Sequence, residues 1–118
     1  MPSILIVEPN PQGLAVLDGL LEDEGYHRCN AMSLAEARQQ LSKQPFDVVM
    51  LNVQSQSSEA LQFAREVHSK NVPIIGFGAT AIPYESQALA TGCKLFIEKP
   101  FTSEVLDAVQ RLLQPRAA

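Results

Sequence analysis

Five short apolar runs, each followed by a stretch with helical spacing, recur along the chain and leave few folds open. The first, Ser3-Ile4-Leu5-Ile6-Val7, is apolar at consecutive positions, so both faces of its strand need cover. Phe46 to Leu51 and Val72 to Phe77 read the same way, with Pro73 at a strand start, where a missing N–H is tolerated. Tyr26 to Met32 is more polar and suits a sheet edge, and Lys94 to Glu98 supplies a fifth strand. Between them, Leu14, Leu17 and Leu21 form one stripe within Gln12 to Glu24, closed by Gly25. Ser33 caps a second helix carrying Leu34, Ala37 and Leu41; Glu36 completes a capping box and Pro45 stops the helix. Leu61, Ala64 and Val67 align in Ser58 to Ser69, and Pro83 to Ala90 forms a short helix closed by Gly92. Phe101, Val105, Val109 and Leu112 mark a final amphipathic helix before Pro115. Strands alternating with helices through short loops predict right-handed crossovers and an α/β fold built on one doubly wound sheet.

The 118 residues suit a single domain over 1–118, with its core at about 3–114. A net charge of −4 argues against a phosphate-tracking nucleic-acid module, which needs a basic stripe. Apolar runs such as Ile4 to Val7 fall far short of a bilayer span, and Met1-Pro2-Ser3 carries no charged targeting segment. Cys29 and Cys93 allow neither a disulfide framework nor a four-cysteine zinc site. These readings point to a cytoplasmic protein with no membrane and no nucleic-acid partner.

Doubly wound sheets place their sites outside the carboxyl ends of the strands. Those positions hold Glu8-Pro9-Asn10, Asn52, Gly78-Ala79 and Lys99-Pro100-Phe101. With these residues at these offsets, the chain resembles the receiver domains of bacterial response regulators over about residues 3–114. The resemblance implies a flavodoxin-like (βα)5 three-layer sandwich with strand order 2-1-3-4-5. It also implies a phosphorylation pocket. In that pocket an acidic pair and a carbonyl bind Mg²⁺, an aspartate attacks the phosphoryl donor, and a hydroxyl and a lysine contact the phosphoryl oxygens.

Three positions depart from that pattern. Glu8 matches the first acid, but Pro9 stands in place of the second and offers neither a side-chain ligand nor an N–H. Asn52 occupies the phosphoacceptor position, and an amide cannot form an acyl phosphate. Gly78 removes the hydroxyl. Lys99-Pro100-Phe101 matches fully, with a cis peptide implied before Pro100, and Phe96 takes the place of the switching aromatic. With one carboxylate left, and only the Gln54 carbonyl to join it, Mg²⁺ affinity should be weak or absent. Lys99 is expected to pair with Glu8 directly or through water. Asn52→Asp alone should not restore phosphorylation, whereas adding Pro9→Asp and Gly78→Thr should restore some.

The reading is therefore a non-enzymatic pseudo-receiver with no cofactor, which binds a protein of a signalling pathway. The resemblance places the binding face on helix 4, strand 5 and helix 5, with Tyr84, Phe96 and Phe101 as candidate anchors, though Phe101 also suits the core. Two alternatives stand beside it. One is a receiver phosphorylated at another residue, for which Ser55, Ser57 and Ser58 are the nearest hydroxyls. The other is a small-molecule or nucleotide sensor: Gly76-Phe77-Gly78-Ala79-Thr80-Ala81 fits the loose G-x-G-x-x-A pattern, with Glu98 at ribose-binding spacing. His27 and His68 lack a second ligand at helical or strand spacing, and both cysteines read as packing residues.

Overall fold

The computed structural model describes residues 2–113, so Pro115 and the tail after it fall outside the described residues. Five strands and five helices alternate: β1 (Ser3–Val7), α1 (Pro11–Asp23), β2 (His27–Ala31), α2 (Leu34–Lys43), β3 (Val48–Asn52), α3 (Ser57–Ser69), β4 (Ile74–Gly78), α4 (Tyr84–Ala90), β5 (Leu95–Glu98) and α5 (Glu104–Leu113). The strands form one parallel sheet in the order β2-β1-β3-β4-β5.

The doubly apolar strands explain the layers. Leu5, Val7, Val49 and Leu51 face one side, where Ala37 of α2, Phe63 and Val67 of α3 and Ala88 of α4 cover them. Ile4, Ile6, Val48, Met50 and Phe77 face the other, under Leu17 and Leu21 of α1 and Val105 and Val109 of α5. Successive side chains alternate between the two cores, as the two-residue period of a strand requires. At the edge, β2 keeps exposed His27 and Asn30. There Arg28 ties it to α1 through Asp18 at 2.7 Å, a hydrogen bond that raises the arginine pKa further.

Several element ends differ from the periodicity reading. α1 starts one residue earlier, at Pro11, because Asn10 caps it: Asn10 Oδ1 accepts from the Gln12 and Gly13 N–H groups at 2.8 and 3.1 Å. The Ser33 cap is present, but Glu36 reaches back to the Met32 N–H, one residue before the capping-box position. β3 starts at Val48 rather than Phe46, and β4 at Ile74 rather than Val72, because pairing begins where the neighbouring strands do. α5 starts at Glu104, after Phe101 has already turned into the core.

In this order β1 and β3 are neighbours, and the chain leaves β1 toward β2 on one side and β3 toward β4 on the other. The crevice opens above the carboxyl ends of β1 and β3, where the two βα loops diverge.

Candidate functional site

Four of the sequence-selected residues converge on that crevice. β1 delivers Glu8, β3 ends on Asn52, β4 on Gly78, and Lys99 follows β5. The register holds them level: Asn52 lies opposite Phe77, Gly78 opposite Glu98, and the Lys99 N–H donates to the Gly78 carbonyl at 2.8 Å. Glu8, Asn52 and Lys99 line an open cleft of about 560 Å³ with Pro9, Asn10, Gln54, Ser55 and Ala79.

Glu8 is fully buried. A buried carboxylate needs charge compensation and donors. Lys99 Nζ lies 3.1 Å from Glu8 Oε2, the direct form of the expected contact. The Asn52 side-chain amide donates to both carboxylate oxygens at 3.1 and 3.2 Å, and the Asn10 N–H donates to Oε1 at 3.0 Å. Lys99 also stands 5.8 and 5.6 Å from the centres of the Phe77 and Phe101 rings, within cation–π range. Gly13, in the first turn of α1, closes over the pair: a Cβ there would lie 3.4 Å from Glu8 and from Lys99 Nζ.

Asn52 is committed at its other end as well. Its Oδ1 accepts from the Gln54 and Ser55 N–H groups at 2.9 and 3.0 Å. The side chain of Gln54 then crosses the cleft, where Oε1 accepts from the Ala79 N–H at 2.6 Å. Among the described residues, no buried side-chain nitrogen or oxygen lacks a partner.

The groups that the resemblance would turn toward Mg²⁺ are engaged with one another. Both Glu8 oxygens are occupied by N–H donors, the Asn52 oxygen points at backbone N–H groups, and Pro9 adds no side-chain ligand. No cluster of three or more histidine, cysteine, aspartate and glutamate side chains suited to a metal occurs among the described residues.

The remaining sequence candidates fall elsewhere. The peptide before Pro100 is cis, and so is the one before Pro83, which no sequence signal marked. Phe96 and Tyr84 are half-buried against the α2–α3–α4 core, and Phe101 packs edge-on against Phe77 at 5.1 Å in the other core. The exposed apolar residues near α4 are instead Ile82 and Leu89. Glu98, at the spacing for a ribose contact, accepts from the Ala81 N–H at 2.7 Å. Gly76 lies under Ala88 and Cys93, a close-packing role rather than a phosphate loop. His27 and His68 are exposed and far apart in the fold. Cys93 is buried, and burial pushes its thiol up to about 11, so it is no nucleophile at neutral pH.

Gln54 is the site residue that the sequence reading undervalued. The expectation names only its carbonyl, whereas its side chain makes the contact across the cleft. Asn10 had a usable signal, an asparagine directly before a proline at the first helical position.

A parallel five-stranded sheet with these strand-end residues defines a class, and comparison with known proteins identifies it. The family model described as "Response regulator receiver domain" matches residues 4–111. The chain belongs to that family, whose members are signalling modules of two-component systems. It is 33% identical over 116 residues to the sensor histidine kinase GacS of Pseudomonas protegens; the match covers 92% of this chain but 13% of that protein. Among solved structures, a response regulator from Thermotoga maritima superposes with a TM-score of 0.89 at 20% identity, covering 96% of this chain and 98% of that one. The receiver domain of the sensor histidine kinase PA1611 from Pseudomonas aeruginosa PAO1, solved with magnesium in its active-site cleft, gives 0.81 at 24% identity, covering 94% and 96%.

Proposed function

We propose that this domain is a pseudo-receiver: a single domain over 1–118 that signals by binding a protein without being phosphorylated and without Mg²⁺. The observation that carries the reading is the state of Asn52. It stands at the phosphoacceptor position as an amide, with its nitrogen bonded to Glu8 and its oxygen to two backbone N–H groups. An amide in this position has no anionic oxygen to attack phosphorus. Glu8, Pro9, Gly78 and Lys99 make up the rest of the altered pocket. Lys99 neutralises Glu8, so the cleft no longer carries the excess negative charge that would draw in a divalent cation.

The partner is a protein of a two-component pathway, met on α4, β5 and α5. Ile82, 87% exposed, and Leu89 supply apolar surface next to the half-buried Tyr84 and Phe96. The domain is not an enzyme, takes no nucleic acid and acts in the cytoplasm. No helix among the described residues is long and apolar enough to cross a membrane.

Incubation with Mg²⁺ and a small phosphodonor, followed by intact-mass measurement, tests the reading. The mass is expected to stay unchanged. A stoichiometric phosphoryl adduct would overturn it, and mapping the adduct to Ser55, Ser57 or Ser58 would establish phosphorylation at an atypical residue instead.

A further inference from the structure

The cleft contains a ligand supplied by the chain itself. Gln54 follows β3 by two residues, and its own N–H is pinned to Asn52 Oδ1 at 2.9 Å. From that anchor its side chain spans to the β4–α4 loop, where Oε1 accepts from the Ala79 N–H at 2.6 Å. The path runs over Gly78. A Cβ at residue 78 would stand 3.0 Å from Gln54 Oε1 and 3.2 Å from Gln54 Cβ, with Phe96 Cζ 3.5 Å away. The Gly78 backbone is not left-handed, so conformation does not demand a glycine there; the space for Gln54 does.

We infer that Gln54 is a resident ligand of the Ala79 N–H and the positioning residue of the β4–α4 loop, and that Gly78 is its required counterpart. The carboxamide oxygen occupies the backbone donor that the loop turns toward the cleft, so an incoming oxyanion would have to displace a bonded side chain. The same strap, together with the Glu98 contact to the Ala81 N–H at 2.7 Å, holds the loop from β3 on one side and β5 on the other. Ile82 projects from the segment so held. A chance bond from a solvated glutamine would leave residues 54 and 78 energetically independent; a strap couples them.

The function of the strap rests on the phosphorylation-independent reading, but the bond can be tested apart from it. Amide exchange at Ala79 is measured by NMR on the full ¹⁵N-labelled chain, with β1 and β3 amides as internal controls. Gln54→Ala should speed Ala79 exchange by about fivefold, the usual scale for losing one hydrogen bond, while the β1 and β3 amides stay unchanged. Gln54→Glu, which keeps an acceptor oxygen, should stay near the wild-type rate. Gly78→Ala should also speed Ala79 exchange, by no more than Gln54→Ala does, because its Cβ would stand 3.0 Å from the same oxygen and push it aside, and the double variant should be no faster than Gln54→Ala alone. Unchanged Ala79 exchange in Gln54→Ala, or rates that multiply in the double variant, would overturn the strap. Because Gly78→Ala attacks the bond from the opposite side, a folding defect in either variant leaves the other to decide. A phosphoryl adduct in the mass experiment removes the phosphorylation-independent reading and leaves the exchange result standing; equal exchange rates do the reverse.

Discussion

An aspartate at position 52 would face Glu8 across about 3 Å, at a point where the native amide donates to both carboxylate oxygens. Two adjacent buried carboxylates disfavour each other's ionisation, and Lys99 compensates only one of them. Asn52→Asp is therefore expected to destabilise the fold by about 1–3 kcal/mol near neutral pH. The sign of the pH dependence follows: the like-charge contact raises a carboxyl pKa in the folded state, so the deficit should shrink as the solution is acidified and a proton is shared. Urea denaturation at two pH values measures it; a variant as stable as wild type near pH 7 would contradict the contact. The substitution should also gain no phosphoryl label. The structure sharpens the expectation for the larger set of changes, since Gly78→Thr drives its Cβ into Gln54. A chain with Pro9→Asp, Asn52→Asp and Gly78→Thr needs Gln54 shortened as well before a phosphoryl group can reach the Ala79 N–H. That positions 9 and 52 carry no carboxylate could be read from residue identity. The use of Gln54 could not, because a glutamine in a polar loop carries no local signal of what it will reach.

Helix and strand order followed from periodicity because each element has to bury a face that its spacing already displays. The ends were less legible. α1 begins at Pro11 because Asn10 supplies a cap, while α3 begins after Gln56, which adopts left-handed backbone with φ 51° and makes no side-chain cap. The turn between α4 and β5 is set by Gly92. Its φ of +111° is strained for any L side chain, and a Cβ there would lie 2.5 Å from His68. Gly92→Ala should cost about 2–4 kcal/mol, the sum of backbone strain and the displacement of His68 from α3. Adding His68→Ala should recover only the part of the steric cost owed to the imidazole, because the residue 68 Cβ stays 2.8 Å away, and none of the strain. Thermal melts of both variants test this, and a single variant within about 0.5 kcal/mol of wild type would refute the packing.

The sheet as a whole brings together residues from four loops, and its neutral pocket has a consequence for cation binding. A protein that binds a ligand only when folded is stabilised by it in proportion to RT ln(1 + [L]/Kd). With both Glu8 oxygens engaged, about 10 mM Mg²⁺ should move the melting temperature by less than about 1 °C, beyond the shift given by matched ionic strength. A rise of several degrees would show that Lys99 and Asn52 yield the carboxylate to a metal. Net charge does not enter: the 13 acids are distributed over the helices and strand ends, and Glu8 is the acid lining the cleft.

Runs apolar at consecutive positions, set between helical stripes, are local properties, and they were enough to determine the layers and which residues stand at the strand ends. Residue identity at those ends was enough to place Asn52, Pro9 and Gly78 where the resemblance implies an aspartate, a second acid and a hydroxyl. Tertiary structure decided how the remainder is used. Glu8 and Asn52 are 44 residues apart, and Gln54 and Ala79 are 25 apart. Whether such groups bond depends on a few tenths of an ångström between loops whose positions come from the packed sheet, not from their own sequence. For the same reason the aromatic residues turned inward and Ile82 was left outside: which side chains a loop buries is settled by the space its neighbours leave, as Gly78 leaves it for Gln54.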